Sequence, residues 1–191
     1  QQTAQMETSG EMSRLITSML ESEEMLARVA EMVAERTGGF VALYLAEDEE
    51  GEPGLVLRAA SGGREDLQRQ LEVDGQTAVG TCVLQREVQM IGDVKTTATL
   101  RDHLLIDTRS EIAVPLIARQ EVVGVLDIQQ AEADAFGEQD RLVWLAVADQ
   151  IAAGIAHAQS FSETRRALQE LSKLQRRYVQ DAWERFTPEL E

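Results

Sequence analysis

The chain has 191 residues and a formal charge of −16, from 18 basic and 34 acidic side chains. Its 43% hydrophobic content is enough for one core, a chain of this size losing about 70% of its extended surface on folding. The single cysteine, Cys82, excludes an internal disulfide framework and any thiolate-clustered zinc or iron–sulfur site, and two histidines are too few for a histidine-rich metal centre.

No apolar run approaches the ~20 residues of a bilayer-spanning helix, and Gln1 to Glu11 lack a basic-then-apolar leader pattern. The expectation is a cytoplasmic chain with no membrane contact. Residues 1–161 hold 12 basic and 28 acidic side chains, and residues 162–187 hold six and four. A nucleic-acid binder needs a basic footprint that releases counterions from phosphates, so no nucleic-acid partner is expected. The mixed charges after residue 162 read as the solvated face of a helix.

Met12, Leu15, Ile16 and Met19 recur at helical spacing, and Leu26, Val29, Ala30 and Val33 repeat the stripe until Gly38 and Gly39 end it. The period then drops to two. Phe40 to Ala46 and Leu55 to Ala60 predict an antiparallel hairpin around the acidic turn Glu47–Gly54, and Ser61 to Leu71 is polar and irregular. Thr77 to Gln85 predicts a short helix, Val88 to Ile91 a brief strand, and Thr96 to Asp107 a loop. Ser110 to Ala118 and Glu121 to Gln129 predict a second hairpin about Arg119-Gln120, with local irregularity at Pro115, which lacks a ladder donor. From Asp140 no breaker but Gly154 interrupts a helix before Pro188. Leu142, Leu145, Val147, Ile151 and Ile155 form its broad apolar face; beyond Ala158 the stripe narrows to Phe161, Leu168, Leu171, Leu174, Tyr178 and Ala182. Such a helix is about 72 Å long, about twice the diameter of a 130-residue domain. Its far half therefore projects and needs a partner helix, most simply its own copy in a parallel homodimer. Leu15, Met19, Ile151, Ile155, Phe161, Leu168, Leu171, Leu174 and Tyr178 are the candidate interface.

Several motifs together resemble the GAF domain, a small-molecule-binding sensory module related to PAS. They are Arg36-Thr37-Gly38, Leu57 to Gly62, Gly80, Gly92-Asp93-Val94, Ser110 to Leu116, Val123 to Gln129, and Phe136 with Asp140, Leu142 and Ala146. The resemblance covers about residues 22–160. It implies an α+β fold: an antiparallel sheet of five to six strands, terminal helices on one face, and a pocket-forming helix and loop on the other. Residues 1–21 are then a signalling helix and 161–191 a projecting coiled-coil helix leading to an output domain such as a histidine kinase. Pro115 is usual in the family's fourth-strand motif.

Departures from the family narrow the function. Glu132, Ala133 and Arg141 replace residues of the cyclic-nucleotide signature, no cysteine accompanies His103 as bilin attachment requires, and the methionine-sulfoxide reductase branch works with several cysteines. The candidate ligand contacts are Cys82, Leu100, Arg101, His103, Leu104, Glu111 and Asp127. Glu111 and Asp127 stand out, because a carboxylate on a sheet covered on both sides must find a partner or a ligand. No matched nucleophile or base accompanies them, so no catalytic residue, metal or cofactor is assigned. The expected function is a non-enzymatic sensory domain for an unidentified small molecule, relaying its state through paired helices. The alternatives are a ligandless dimerisation spacer and a reductase working through Cys82 alone.

Overall fold

The computed structural model describes residues 23–49, 52–63, 70–73, 75–97 and 105–186. The expected helix carrying Leu15 and Met19, and Leu100, Arg101, His103 and Leu104 of the loop, lie outside the described residues. Contacts divide the chain into two units, Gln1–Gly154 and Ile155–Glu191.

In the first unit, helix α1 (23–37) is followed by strands β1 (Phe40–Glu49), β2 (Glu52–Ala60) and β3 (Gln70–Glu72). Helix α2 (Ala78–Gln85) and strands β4 (Gln89–Ile91), β5 (Ser110–Ala118) and β6 (Glu121–Gln130) come next, then helix α3 (Glu138–Phe186), which runs on through the second unit. The six strands form one antiparallel sheet in the order β3-β2-β1-β6-β5-β4. Two hairpins, β1–β2 and β5–β6, are joined through β1 and β6, so the chain ends of the domain meet at its centre.

Alternation sorts the side chains by face. Val41, Leu43, Ile112, Val114, Leu116, Leu126 and Ile128 lie on one face and are wholly buried. Helix α1 supplies Leu26, Ala30 and Val33 to the core, and the first turns of α3 supply Trp144, Ala148 and Ala152. Each large aliphatic side chain buried in this way contributes about 1.5–3 kcal/mol. The opposite face carries Ala42, Tyr44, Ala113 and Val125, which form one cluster with Leu55, Leu71 and with Ala78, Val79 and Cys82 of α2.

Local chemistry sets the element ends. Thr77 caps α2, its hydroxyl accepting from the Gly80 N–H at 2.9 Å. Gly38 ends α1 at φ 68°, its N–H donating to the Ala34 carbonyl.

Four details differ from expectation. Both strands of the first hairpin extend into the acidic segment 47–54, so the connection is shorter. Residues 61–71 include β3, where only Leu71 is buried between exposed Gln70 and Glu72; one apolar residue is too little to register as a strand. The buried stripe of α3 is Trp144, Ala148, Ala152 and the expected Ile155, with Leu145, Val147 and Ile151 half-buried, while Leu142 is 70% exposed, because spacing alone leaves the helix phase open by one position. Pro115 pairs with Val125 without disruption, and the register shift falls one step later, between Leu116 and Ile117.

Candidate functional site

Helix α2 packs over β4, β5 and β6. Beneath it, strand pairing places Phe40, Gln129, Glu111 and Ile91 on one rung, Ala42, Asp127 and Ala113 on the next, and Tyr44, Val125 and Pro115 on a third. Glu111 and Asp127 are diagonal neighbours on adjacent strands, a relationship that sets residues ~7–8 Å apart. Tyr44, Glu111 and Asp127 are 0% exposed and Gln129 is 1% exposed. A polar island thus interrupts an otherwise apolar face.

Gln129 organises it. Its amide Nε2 donates to Asp127 Oδ2 at 2.7 Å. Its Oε1 accepts from the Thr108 hydroxyl at 2.8 Å and the Leu105 N–H at 3.0 Å, which ties the segment before β5 to the sheet. Gln129 also borders a cleft of about 170 Å³, walled by Gly38 to Phe40, Leu105 and Thr108. That is below the ~300–1,000 Å³ of pockets for drug-sized ligands. Gly39 is required at its wall: a Cβ there would lie 2.4 Å from the Gln129 carbonyl oxygen.

The Tyr44 hydroxyl makes no hydrogen bond among the described residues. Burial pushes its pKa well up, and the negative charges of Asp127 and Glu111 push it further. The Cys82 thiol is raised by the same three causes in the same order. Cys82 is wholly buried and stays a neutral thiol, since a thiolate needs a positive partner or solvent. No group of three or more potential metal ligands occurs among the described residues.

A second polar cluster braces the rim. Asp93, just after β4, accepts from Arg109 Nε at 3.1 Å and from the Lys95 N–H at 3.0 Å, and the Val94 N–H donates to the Arg109 carbonyl. The Arg109 guanidinium, then the Lys95 N–H, hold the Asp93 carboxyl down at about 2, against an ordinary 3.8. A depressed folded-state pKa stabilises the fold above the ordinary value, and the contribution is lost as pH falls through the folded one. Denaturation of Asp93→Asn beside the unaltered chain is therefore expected to show a stability deficit at pH 6 that closes between 3.8 and about 2. A deficit that persists at pH 2 disproves the pairing.

Of the sequence-derived contacts, Cys82, Glu111 and Asp127 come together on one covered face. Tyr44, Gln129 and Thr108 were not anticipated. Gln129 had a signal available: it continues the Val125–Asp127 alternation onto the same face. Tyr44 had none until the pairing of β1 with β6 was known. Of the interface candidates, Ile151 is half-buried and Ile155 is 4% exposed, whereas Phe161, Leu168, Leu171, Leu174 and Tyr178 are exposed.

Residues 20–156 match the family model of the GAF domain. The chain belongs to the GAF family. A search of curated proteins finds no match. Among solved structures, the GAF chain is similar to free methionine-R-sulfoxide reductase from Neisseria meningitidis in complex with its substrate. The TM-score is 0.63 at 25% identity, over 73% of this chain and 80% of that one. Type II free methionine-R-sulfoxide reductase from Thermoplasma acidophilum gives a TM-score of 0.62 at 24% identity, over 71% of this chain and 93% of that one. The GAF domain of Acinetobacter phosphoenolpyruvate-protein phosphotransferase gives 0.62 at 20% identity, over 79% and 94%. The last two likenesses establish the fold alone. The architecture is thus shared with free methionine-R-sulfoxide reductases and with the GAF domain of a phosphotransferase, and no described helix is long and apolar enough to cross a membrane.

Proposed function

We propose that this GAF domain is a non-enzymatic sensor of a small molecule carrying a positive or donor-rich group, held beneath α2. The observation that carries the reading is the wholly buried polar cluster of Tyr44, Glu111, Asp127 and Gln129 on that face. Buried carboxylates carry a desolvation cost of several kcal/mol, and such groups concentrate where a ligand or reaction needs them. The two acids suit an ammonium or amide N–H, the Tyr44 hydroxyl offers a further hydrogen bond, and the apolar floor of Ala42, Ala113 and Val125 suits an aliphatic portion.

The relay follows from connectivity. The acids sit on β5 and β6, and β6 leads directly into α3. A ligand that draws the sheet and residues 105–108 together biases the start of that helix, provided it binds the two arrangements with different affinity. In a longer protein α3 would carry the change to an output domain such as a histidine kinase.

The likeness to sulfoxide reductases invites a second reading, a reductase working through Cys82. A lone, buried, protonated thiol argues against it: it is a poor nucleophile and has no second cysteine in the chain to close a disulfide. Native mass spectrometry of gently purified protein tests the proposal. The expected result is a retained small mass, released on denaturation, together with no turnover of free methionine-R-sulfoxide. A bare protein whose melting is unmoved by a panel of amino acids and amines overturns the sensor reading. Turnover abolished by Cys82→Ser supports the enzyme instead.

A further inference from the structure

We propose that the cleft beside Gln129 is the entrance to the polar face beneath α2, and that the Gln129 amide is the latch that opens and closes it. The inference rests on the proposed site for its purpose, but it is tested on access alone, with no ligand present.

Among the described residues, most borders of the covered face are packed shut. Helix α2 closes it over β4, β5 and β6, and Leu55 and Leu71 close it on the β2 side. The end where β1 begins and β6 stops is built differently. There the cleft of about 170 Å³, walled by Gly39 and by Leu105, Asp107 and Thr108, reaches Gln129. Gln129 is 1% exposed and its Nε2 donates to Asp127 Oδ2 at 2.7 Å, so the side chain stands between the cleft and the acids.

Residues 105–108 are clasped there at a single point. The Leu105 N–H and the Thr108 hydroxyl both donate to one atom, Gln129 Oε1, at 3.0 and 2.8 Å. The Thr108 N–H turns inward to the Leu105 carbonyl at 3.0 Å, which makes the segment one closed turn. Its apolar side chains anchor it weakly: Ile106 is 95% exposed and Leu105 is half-buried. The residue that follows is fixed. Arg109 donates its N–H to the Gln130 carbonyl at 2.7 Å, and its guanidinium holds Asp93. The segment is thus a short turn with a hinge at Arg109 and a clasp on one oxygen. One rotation of the Gln129 side chain breaks both ties at once. Lifting α2 instead would uncover buried Ala78, Val79 and Cys82 together. The opening that exposes less apolar surface costs less, and segments held chiefly by hydrogen bonds open more readily than packed ones. The reverse rotation seals in whatever the acids have taken up.

Cys82 reports the opening, because it is the chain's single cysteine and lies wholly buried in one cluster with Tyr44 and Val125. Methyl methanethiosulfonate labels it: the Cys82 sulfur displaces methanesulfinate and gains a methylthio group, and mass spectrometry follows the rate. Thr108→Val removes one tie and keeps the side chain's shape. It is expected to speed labelling about three- to tenfold, the weight of one hydrogen bond. Thr108→Ser, which restores the hydroxyl, should label at the original rate, and Thr77→Ala, which uncaps α2, should leave the rate unchanged. In each case the rate should stay flat in urea well below the unfolding midpoint, since a latch exposes little surface. Three results would overturn the proposal: labelling that climbs steeply with urea, equal rates in Thr108→Val and the unaltered chain, or a rate that Thr77→Ala raises as much as Thr108→Val does. Failure of the sensor reading looks different, as a bare protein in native mass spectrometry whose Cys82 still labels through the latch.

Discussion

Gly124→Ala is expected to cost about 3 kcal/mol of folding stability, the upper part of the range for overpacking a well-fitted core. A Cβ at Gly124 would lie 2.3 Å from the Tyr44 backbone carbonyl oxygen, 3.0 Å from Leu45 Cδ2 and 3.2 Å from Leu116 Cδ1. Side-chain tips give way cheaply, but a strand carbonyl does not. The clash is relieved only by parting β1 from β6, the single seam that joins the two hairpins. The same movement displaces Tyr44 from the polar cluster, so ligand capture should fall together with stability. Gly154→Ala is the control. A Cβ there meets nothing within 4 Å, and the position is helical. Alanine should be neutral or stabilise by up to about 1 kcal/mol. Urea denaturation of both variants checks the pair, and near-equal effects would show that the close approach at Gly124 is absent.

The second large effect has the opposite sign for stability. Asp127→Asn keeps the shape of the side chain and an oxygen to accept from Gln129, while it deletes a negative charge that is 0% exposed. Ligand-free protein is expected to gain about 1–3 kcal/mol, because the amide avoids part of the desolvation cost of a wholly buried carboxylate. Capture of the small molecule should weaken at least about a hundredfold, which is the loss of one buried ionic contact. Denaturation of stripped protein gives the first quantity and native mass spectrometry the second. A variant that is less stable yet retains its ligand would make Asp127 a structural residue and remove the basis of the proposed site.

The contrast between these two residues shows where sequence reading succeeds. The second hairpin was legible almost to the residue, because Ser110–Ala118 and Glu121–Gln130 are long, β-rich and joined by an unmistakable two-residue turn. Helix α3 was legible because nothing in it breaks a helix. β3 was not, since three residues with one buried leucine carry no period, and its existence depends on β2 already being in place. The site divides in the same way. Glu111 and Asp127 were visible as acids inside strands, whose alternation put each on a definite face. Their meeting with Tyr44 was invisible, because it depends on the crossing from β1 to β6, nearly ninety residues apart in the chain. Long-range register is a property of the whole hydrophobic pattern, and no local window contains it.

Pro115 carries one more consequence. The pairing of β4 with β5 ends at Ala113, so the second half of β5 has no strand partner on that side among the described residues. The ladder with β6 nevertheless continues through Pro115, which requires its missing donor to face away from β6, toward the open side. A foreign strand arriving there finds a gap in the row of N–H groups it would need to bond. The proline therefore works as a guard against edge-to-edge self-association.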